Sequence, residues 1–320
     1  MSLVLAPLIV LLVLASLTAI VGCPLVARGQ SMLPDALTHA ALPGVVGAAL
    51  LSGGQLSDLQ VFWGAMLSAG IAVGGLQLLT SRLGLTASAA LAVVYPSMLS
   101  IGLLWTQLSP LAASSFDTHQ VFFGSLDLIF WPELDDAWTS WSGAGAAVAT
   151  APPGFLLACA GLAASVVAVL VGGHQLQFWL FDHQHFGLQS RFAGAVELIY
   201  LALIAASSIA AFLSVGAILA ISLFIAPALG GRAVVSMLHR GGYRAGWGVW
   251  MLASLSLAWL GAFGSWAVAV LLPEVLLPSI WPGLSGMALL VPLAGVVALW
   301  LTVQTVTLVF ALPPVSKTPA

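Results

Sequence analysis

Apolar residues gather along this chain into long blocks, at 3–23, 36–51, 62–80, 86–108, 155–176, 192–230, 247–272 and 284–311. A helix needs about 20 predominantly apolar residues to cross the hydrocarbon core of a bilayer. Most of these blocks read as single crossings, and 192–230 is long enough for two short ones. The pattern predicts an all-α chain, a polytopic transmembrane helical bundle of eight to nine crossings with short loops. The longest stretch that does not span is 109–154. Its apolar run at 121–130 is too short to cross and is expected to lie at the interface or to re-enter.

Charge sharpens this picture. Of 320 residues, seven are Lys or Arg and ten are Asp or Glu. Charged residues are 5% of the chain, against about 25% in ordinary soluble domains. Hydrophobic residues reach 61% and the mean hydropathy is +1.13. So few charges cannot dress the surface of a soluble domain of this size. A cytosolic enzyme and a disordered chain are excluded, and the net charge of −3 excludes a nucleic-acid binder.

The basic residues also orient the chain, because they concentrate on the cytoplasmic side. Arg28 follows the first block, Arg82 the third and Arg191 the fifth; Arg232, Arg240 and Arg244 are expected in one loop, and Lys317 in the tail. With the N-terminus outside and 192–230 crossing twice, all seven fall inside, which favours nine crossings. Asp58, Asp117, Asp127, Glu133, Asp135, Asp136 and Glu274 then fall outside. An outer acidic face would gather cations, although ordinary solvated loops account for it equally well. Trp105, Trp131, Trp138, Trp141 and Trp281 lie near expected helix ends and fit interfacial anchoring.

The first block ends Ile20-Val21-Gly22-Cys23, which has the look of a lipoprotein cleavage box. No Lys or Arg precedes the block, so the basic start of a signal peptide is missing and a first membrane helix is expected instead. Cys23 and Cys159 are too few and too far apart for a disulfide framework or a CxxC metal motif and are expected to pack as small apolar residues. In the third block, Gly70 and Gly74 have the small-xxx-small spacing of close helix contact.

An ionisable residue at the edge of a membrane helix is expensive and therefore a functional candidate. The best such segment reads Pro34-Asp35-Ala36-Leu37-Thr38-His39-Ala40-Ala41-Leu42-Pro43-Gly44. Asp35 and His39 are four apart, which on a helix puts a carboxylate and an imidazole on one face, one turn apart. That pair suits Zn²⁺ or Mn²⁺ better than Cu⁺, which prefers thiolates. Pro34 can open the helix, and Pro43-Gly44 can distort it. Two ligands do not close a site, but a two-fold homodimer would bring four together. The plainer alternative has Asp35 capping the helix and His39 in an ordinary buried hydrogen bond.

Other ionisable residues carry weaker signals. His183 and His185 flank Gln184 in a short inner loop and read as solvated, as does His239 among arginines. His119 and His174 stand alone near helix ends, and Glu197 can pair with Arg191. The sequence has no GxxxxGK[ST], HExxH or GxSxG, so no enzyme constellation stands out.

Asp35 to Val45 resembles the "DAxSHAxLPGV" signature of the ABC-3 family, the zinc/manganese ABC-importer permeases. Further similarities follow in the family's order. Residues 121–126 (VFFGSL) resemble its "xLFGxIL" segment, Phe181-Asp182 the start of its "FDPExAxxxG" loop, and 215–228 its "VGxxLxxALLxxPAAxA" helix. The likeness runs from about residue 21 to residue 286. Thr38 stands where the family usually has Ser and keeps the hydroxyl; His183-Gln184 stand where it has Pro-Glu.

The resemblance implies a single permease domain over 1–320, in the inner membrane of a bacterium, with a cytoplasmic coupling loop at about 181–194. It implies a non-enzymatic membrane subunit working as a homodimer. A separate cytoplasmic ABC ATPase subunit would drive it, and an extracytoplasmic metal-binding protein would supply it. Asp35 and His39 match the positions that the family uses as ligands in the translocation path. No cofactor would be held permanently; Zn²⁺ or Mn²⁺ would be the cargo, with Fe²⁺ admitted by the same ligands. A permease for another cargo, such as chelated iron, or an ion-coupled secondary transporter is the alternative.

Overall fold

The computed structural model describes residues 2–52, 57–109, 131, 150–181, 193–240, 243 and 246–271. These form nine helices and no strand among the described residues. They are α1 (Ser2–Ala27), α2 (Leu33–Ala40), α3 (Leu42–Leu51), α4 (Asp58–Leu83), α5 (Ala87–Leu108), α6 (Pro153–Phe181), α7 (Ala193–Val215), α8 (Ala217–Arg240) and α9 (Trp247–Leu271). Among the described residues, seven helices are long and apolar enough to cross a membrane. The all-α, polytopic architecture expected from the apolar blocks is thus found. The block at 284–311, the run at 121–130 and the coupling loop from Asp182 to Phe192 lie outside the described residues, as do His119, His183, His185, Arg191, Arg244 and Lys317.

Two blocks are broken where their glycine and proline content suggests. The block 36–51 is not one helix but two, α2 and α3, of eight and ten residues. At 1.5 Å per residue they are about 12 and 15 Å long. Neither alone spans a core of about 30 Å, and together they nearly do. The block 192–230 divides at Gly216, whose φ of 79° is in the left-handed region that glycine enters at no steric cost. Its second half, α8, runs on to Arg240, so Arg232 and Arg240 lie on a helix rather than in the expected loop. His239 and Arg240 occupy its last turn, where cations complement the exposed carbonyls.

Helix ends elsewhere follow local chemistry. Ser57 and Gln60 form a reciprocal capping box at the start of α4. Gly84, in the left-handed conformation, closes the same helix, and Thr86 caps α5 by accepting from the N–H of Ala89. Within the helices, hydroxyls return to the carbonyl one turn back, as Thr18 does to Leu14, Thr106 to Gly102 and Ser214 to Ala210. Such bonds let polar residues sit in apolar helices without a separate role.

The helices sort into two compact units, 1–26 with 127–150 and 222–320, and 27–126 with 151–221. In the first, α1 is largely buried. Gly22 meets the backbone of Phe224, the Cys23 thiol donates to the Ser254 hydroxyl at 3.3 Å, and the Trp259 indole donates to Ser16 at 2.8 Å. In the second, α3 packs on α4 and α5, and α7 packs on α6, α2 and α4. Leu42, Val46 and Ala49 form an apolar cluster there, with Leu50 and Leu99 against it. Large apolar side chains on α4, α5 and α6 face outward, among them Leu67, Leu104 and Leu170. In water so much exposed apolar surface would drive association; against lipid it has no such cost.

Candidate metal-relay site

The break between α2 and α3 shapes the candidate site. Pro43 has no N–H to give to the carbonyl of His39, so the helical ladder is interrupted there. The chain tightens: the N–H of Ala41 reaches Thr38 O at 3.3 Å, and that of Gly44 reaches Ala41 O at 3.0 Å. Gly44 therefore leaves the Ala40 carbonyl, which it would serve in a continuous helix. Ser68 on α4 fills the vacancy, its hydroxyl donating to Ala40 O at 2.6 Å in a buried position.

Glycines bring α4 this close. A Cβ built on Gly44 would collide with the Gly64 carbonyl, and one on Gly64 with the Gly44 carbonyl. Similarly, a side chain on Gly102 of α5 would collide with Leu42. The close contact expected at Gly70 and Gly74 is not there: a Cβ on either meets nothing within 4 Å among the described residues. The tight crossing uses Gly64, which precedes both, because the face of α4 that meets the α2–α3 break is the one bearing Gly64 and Ser68.

On α2, Asp35 lies in the first turn and His39 in the last. The carboxylate suits its place, since a helix favours negative charge at its start. Thr38 ties its hydroxyl to Asp35 O at 2.8 Å. The His39 Nε2 and the Asp35 Oδ1 are 3.3 Å apart, with the imidazole 19% and the carboxylate 30% exposed. The sequence-predicted pair is therefore brought together and remains accessible. Two ligands bonded at about 2.1 Å to one ion, at 90–109° to each other, stand about 3.0–3.4 Å apart. The gap between Asp35 and His39 already matches that separation.

Tyr95 on α5 completes the surroundings. Its ring meets the His39 imidazole edge-on, with centroids 5.0 Å apart and planes at 64°. Tyr95 also lines an apolar cleft with Leu33 and Leu37 of α2 and Ala72 and Leu76 of α4. Neither Tyr95 nor Ser68 is singled out by the sequence pattern. The only prior signal was Pro43, which announces that carbonyls nearby need other donors. Among the described residues no third His, Cys, Asp or Glu joins the pair.

Glu197, expected beside Arg191, acts electrostatically on Arg28. Partial burial pulls the Arg28 guanidinium below its usual basicity, and the nearby carboxylate of Glu197 pulls it back up.

The structure thus defines a class: a helical membrane protein with a broken helix that presents one carboxylate and one imidazole. Comparison with known proteins makes it more particular. Residues 1–135 match the model of the ABC 3 transport family. The chain is 27% identical to the manganese transport system membrane protein MntD of Bacillus subtilis (strain 168), over 65% of this chain and 66% of that one. It is 26% identical to the manganese import system permease protein ScaB of Streptococcus gordonii, over 69% of each. The matches span about two thirds of these relatives' lengths. The fold is similar to PsaBC from Streptococcus pneumoniae, solved in complex with Fab, with a TM-score of 0.61, 19% identity, and coverage of 92% of this chain and 89% of that one. The resemblance to ABC-3 permeases carried by the Asp35–Val45 signature is borne out by these matches.

Proposed function

We propose that this chain is the membrane-spanning permease subunit of an ATP-driven importer for divalent metal ions, with Asp35 and His39 as ligands along the ion's path. The observation that carries the reading is the 3.3 Å approach of Nε2 to Oδ1 on a broken membrane helix. Irregular backbone at membrane depth is tolerated where it is enclosed by protein or lines a cavity. An imidazole with a carboxylate suits Mn²⁺, Zn²⁺ and Fe²⁺, and the manganese transport named for both relatives favours Mn²⁺ as cargo. A transport site must also release its ion, and two ligands per chain hold an ion less firmly than a closed four-ligand site.

In this reading the chain is not itself an enzyme. A cytoplasmic ATPase subunit hydrolyses ATP and docks near residues 181–194, and an extracytoplasmic binding protein delivers the ion. Two copies of the chain would place two Asp35–His39 pairs about a common axis, and ATP-driven movement would alter their separation and hence their affinity.

The test is co-expression with candidate ATPase and binding-protein partners, followed by metal-stimulated ATP hydrolysis in lipid. Asp35→Ala and His39→Ala are expected to abolish Mn²⁺ and Zn²⁺ uptake while the complex still assembles. Wild-type uptake in both variants would refute the site. Uptake by the chain alone, driven by an ion gradient, would refute the ATP-driven reading.

A further inference from the structure

We infer that Tyr95 is a positioning residue for the ion site, holding the His39 imidazole in its ligating orientation; the inference rests on the metal reading of Asp35 and His39. Asp35 fixes one edge of the imidazole through the 3.3 Å contact at Nε2. An arriving ion must enter between these two atoms and replace that contact. At that moment the carboxylate no longer orients the ring directly. The edge-on packing against Tyr95, at 5.0 Å and 64°, does not involve the Asp35 contact and can persist through the exchange. Tyr95 precedes Pro96 within α5 and lines an apolar cleft together with Leu33 and Leu37 of the helix that carries the ligands.

The ring rather than the hydroxyl does this work, because the contact is between two ring planes. Edge-to-face aromatic pairs contribute about 0.5–1.5 kcal/mol beyond their area. That corresponds to about a twofold to tenfold change in an equilibrium constant, at 1.4 kcal/mol per tenfold.

The experiment measures equilibrium binding of Mn²⁺ to the full chain in lipid nanodiscs, alongside the metal-free unfolding midpoint. Tyr95→Leu is expected to lower the metal-free midpoint modestly, because the same ring contact is present without the ion, and to weaken Mn²⁺ binding to the still-folded chain about twofold to tenfold, with Tyr95→Phe restoring both. Unchanged binding in Tyr95→Leu would overturn the inference. So would failure of Tyr95→Phe to restore it, or a loss of binding accounted for by unfolded chain alone. His39→Ala in the same assay separates the two levels. If His39→Ala binds Mn²⁺ as wild type does, the metal reading of the pair fails. If it loses binding while Tyr95→Leu does not, only the role of Tyr95 fails.

Discussion

Replacing Ser68 by Ala removes one hydroxyl and tests whether the α2–α3 break is held from outside its own helix. Ser68 is 3% exposed, and its hydroxyl lies 2.6 Å from the Ala40 carbonyl, 28 positions away in sequence. Without it that carbonyl is buried with its helical partner diverted, since the Gly44 N–H is committed to Ala41. An unsatisfied buried acceptor costs about 1–3 kcal/mol in soluble proteins. Hydrogen bonds between membrane helices average about 0.6 kcal/mol and reach about 1.7, because the unfolded chain in lipid also finds partners. The expected loss for Ser68→Ala is therefore about 0.5–2 kcal/mol. The control is Ser97→Ala, which removes an exposed hydroxyl bonded at 2.7 Å to Val93, one turn back in its own helix. That change should be nearly neutral. Reversible unfolding in mixed micelles, read by tryptophan fluorescence, measures both. If Ser68→Ala is no more destabilised than Ser97→Ala, the break is not fastened by α4 and the reasoning fails.

Gly44→Ala or Gly64→Ala should each destabilise by about 1–3 kcal/mol or prevent folding, because the new methyl meets backbone rather than a movable side chain. Gly70→Ala and Gly74→Ala should be tolerated, and a loss comparable to that of Gly64→Ala in the same unfolding assay would place the tight crossing wrongly. Trp259→Phe keeps the aromatic body but removes the donor to Ser16, and should cost about 0.5–1.5 kcal/mol; equal stability by the same measurement would mean that the bond adds nothing. Cys23 is fully buried beside Ser254, so in a Cys159→Ala background a water-soluble maleimide should leave the folded protein unlabelled and modify it after denaturation. Rapid labelling of the folded chain would contradict the packing of α1.

Much of this protein is readable along one dimension. Long apolar blocks set the membrane helices because backbone groups in lipid must be satisfied within a segment. The helical repeat puts Asp35 and His39 together wherever residues 33–40 are helical, and the missing N–H of Pro43 interrupts the ladder whatever lies nearby. Gly216 marks its break for a similarly local reason. The reach of α8 to Arg240 was less legible, because Gly230-Gly231-Arg232 interrupt the apolar run before residues 233–238 (AVVSML) resume it.

Contacts between helices were not legible at all. In helices α1, α4 and α6 apolar residues are spread around the axis rather than gathered on one side, so no stripe says which side faces a neighbour and which faces lipid. Gly70 and Gly74 have the same local signature as a true crossing, yet α4 is rotated so that Gly64 and Ser68 meet α2 and α3. The sequence by itself determined the membrane class, the broken helix and the one-turn spacing of carboxylate and imidazole, because each follows from covalent geometry and local hydrogen bonding. Only the tertiary structure decided that Ser68 takes the freed carbonyl and that the Tyr95 ring lies edge-on to His39, because those depend on how apolar helix faces pack, which their sequence leaves nearly symmetric.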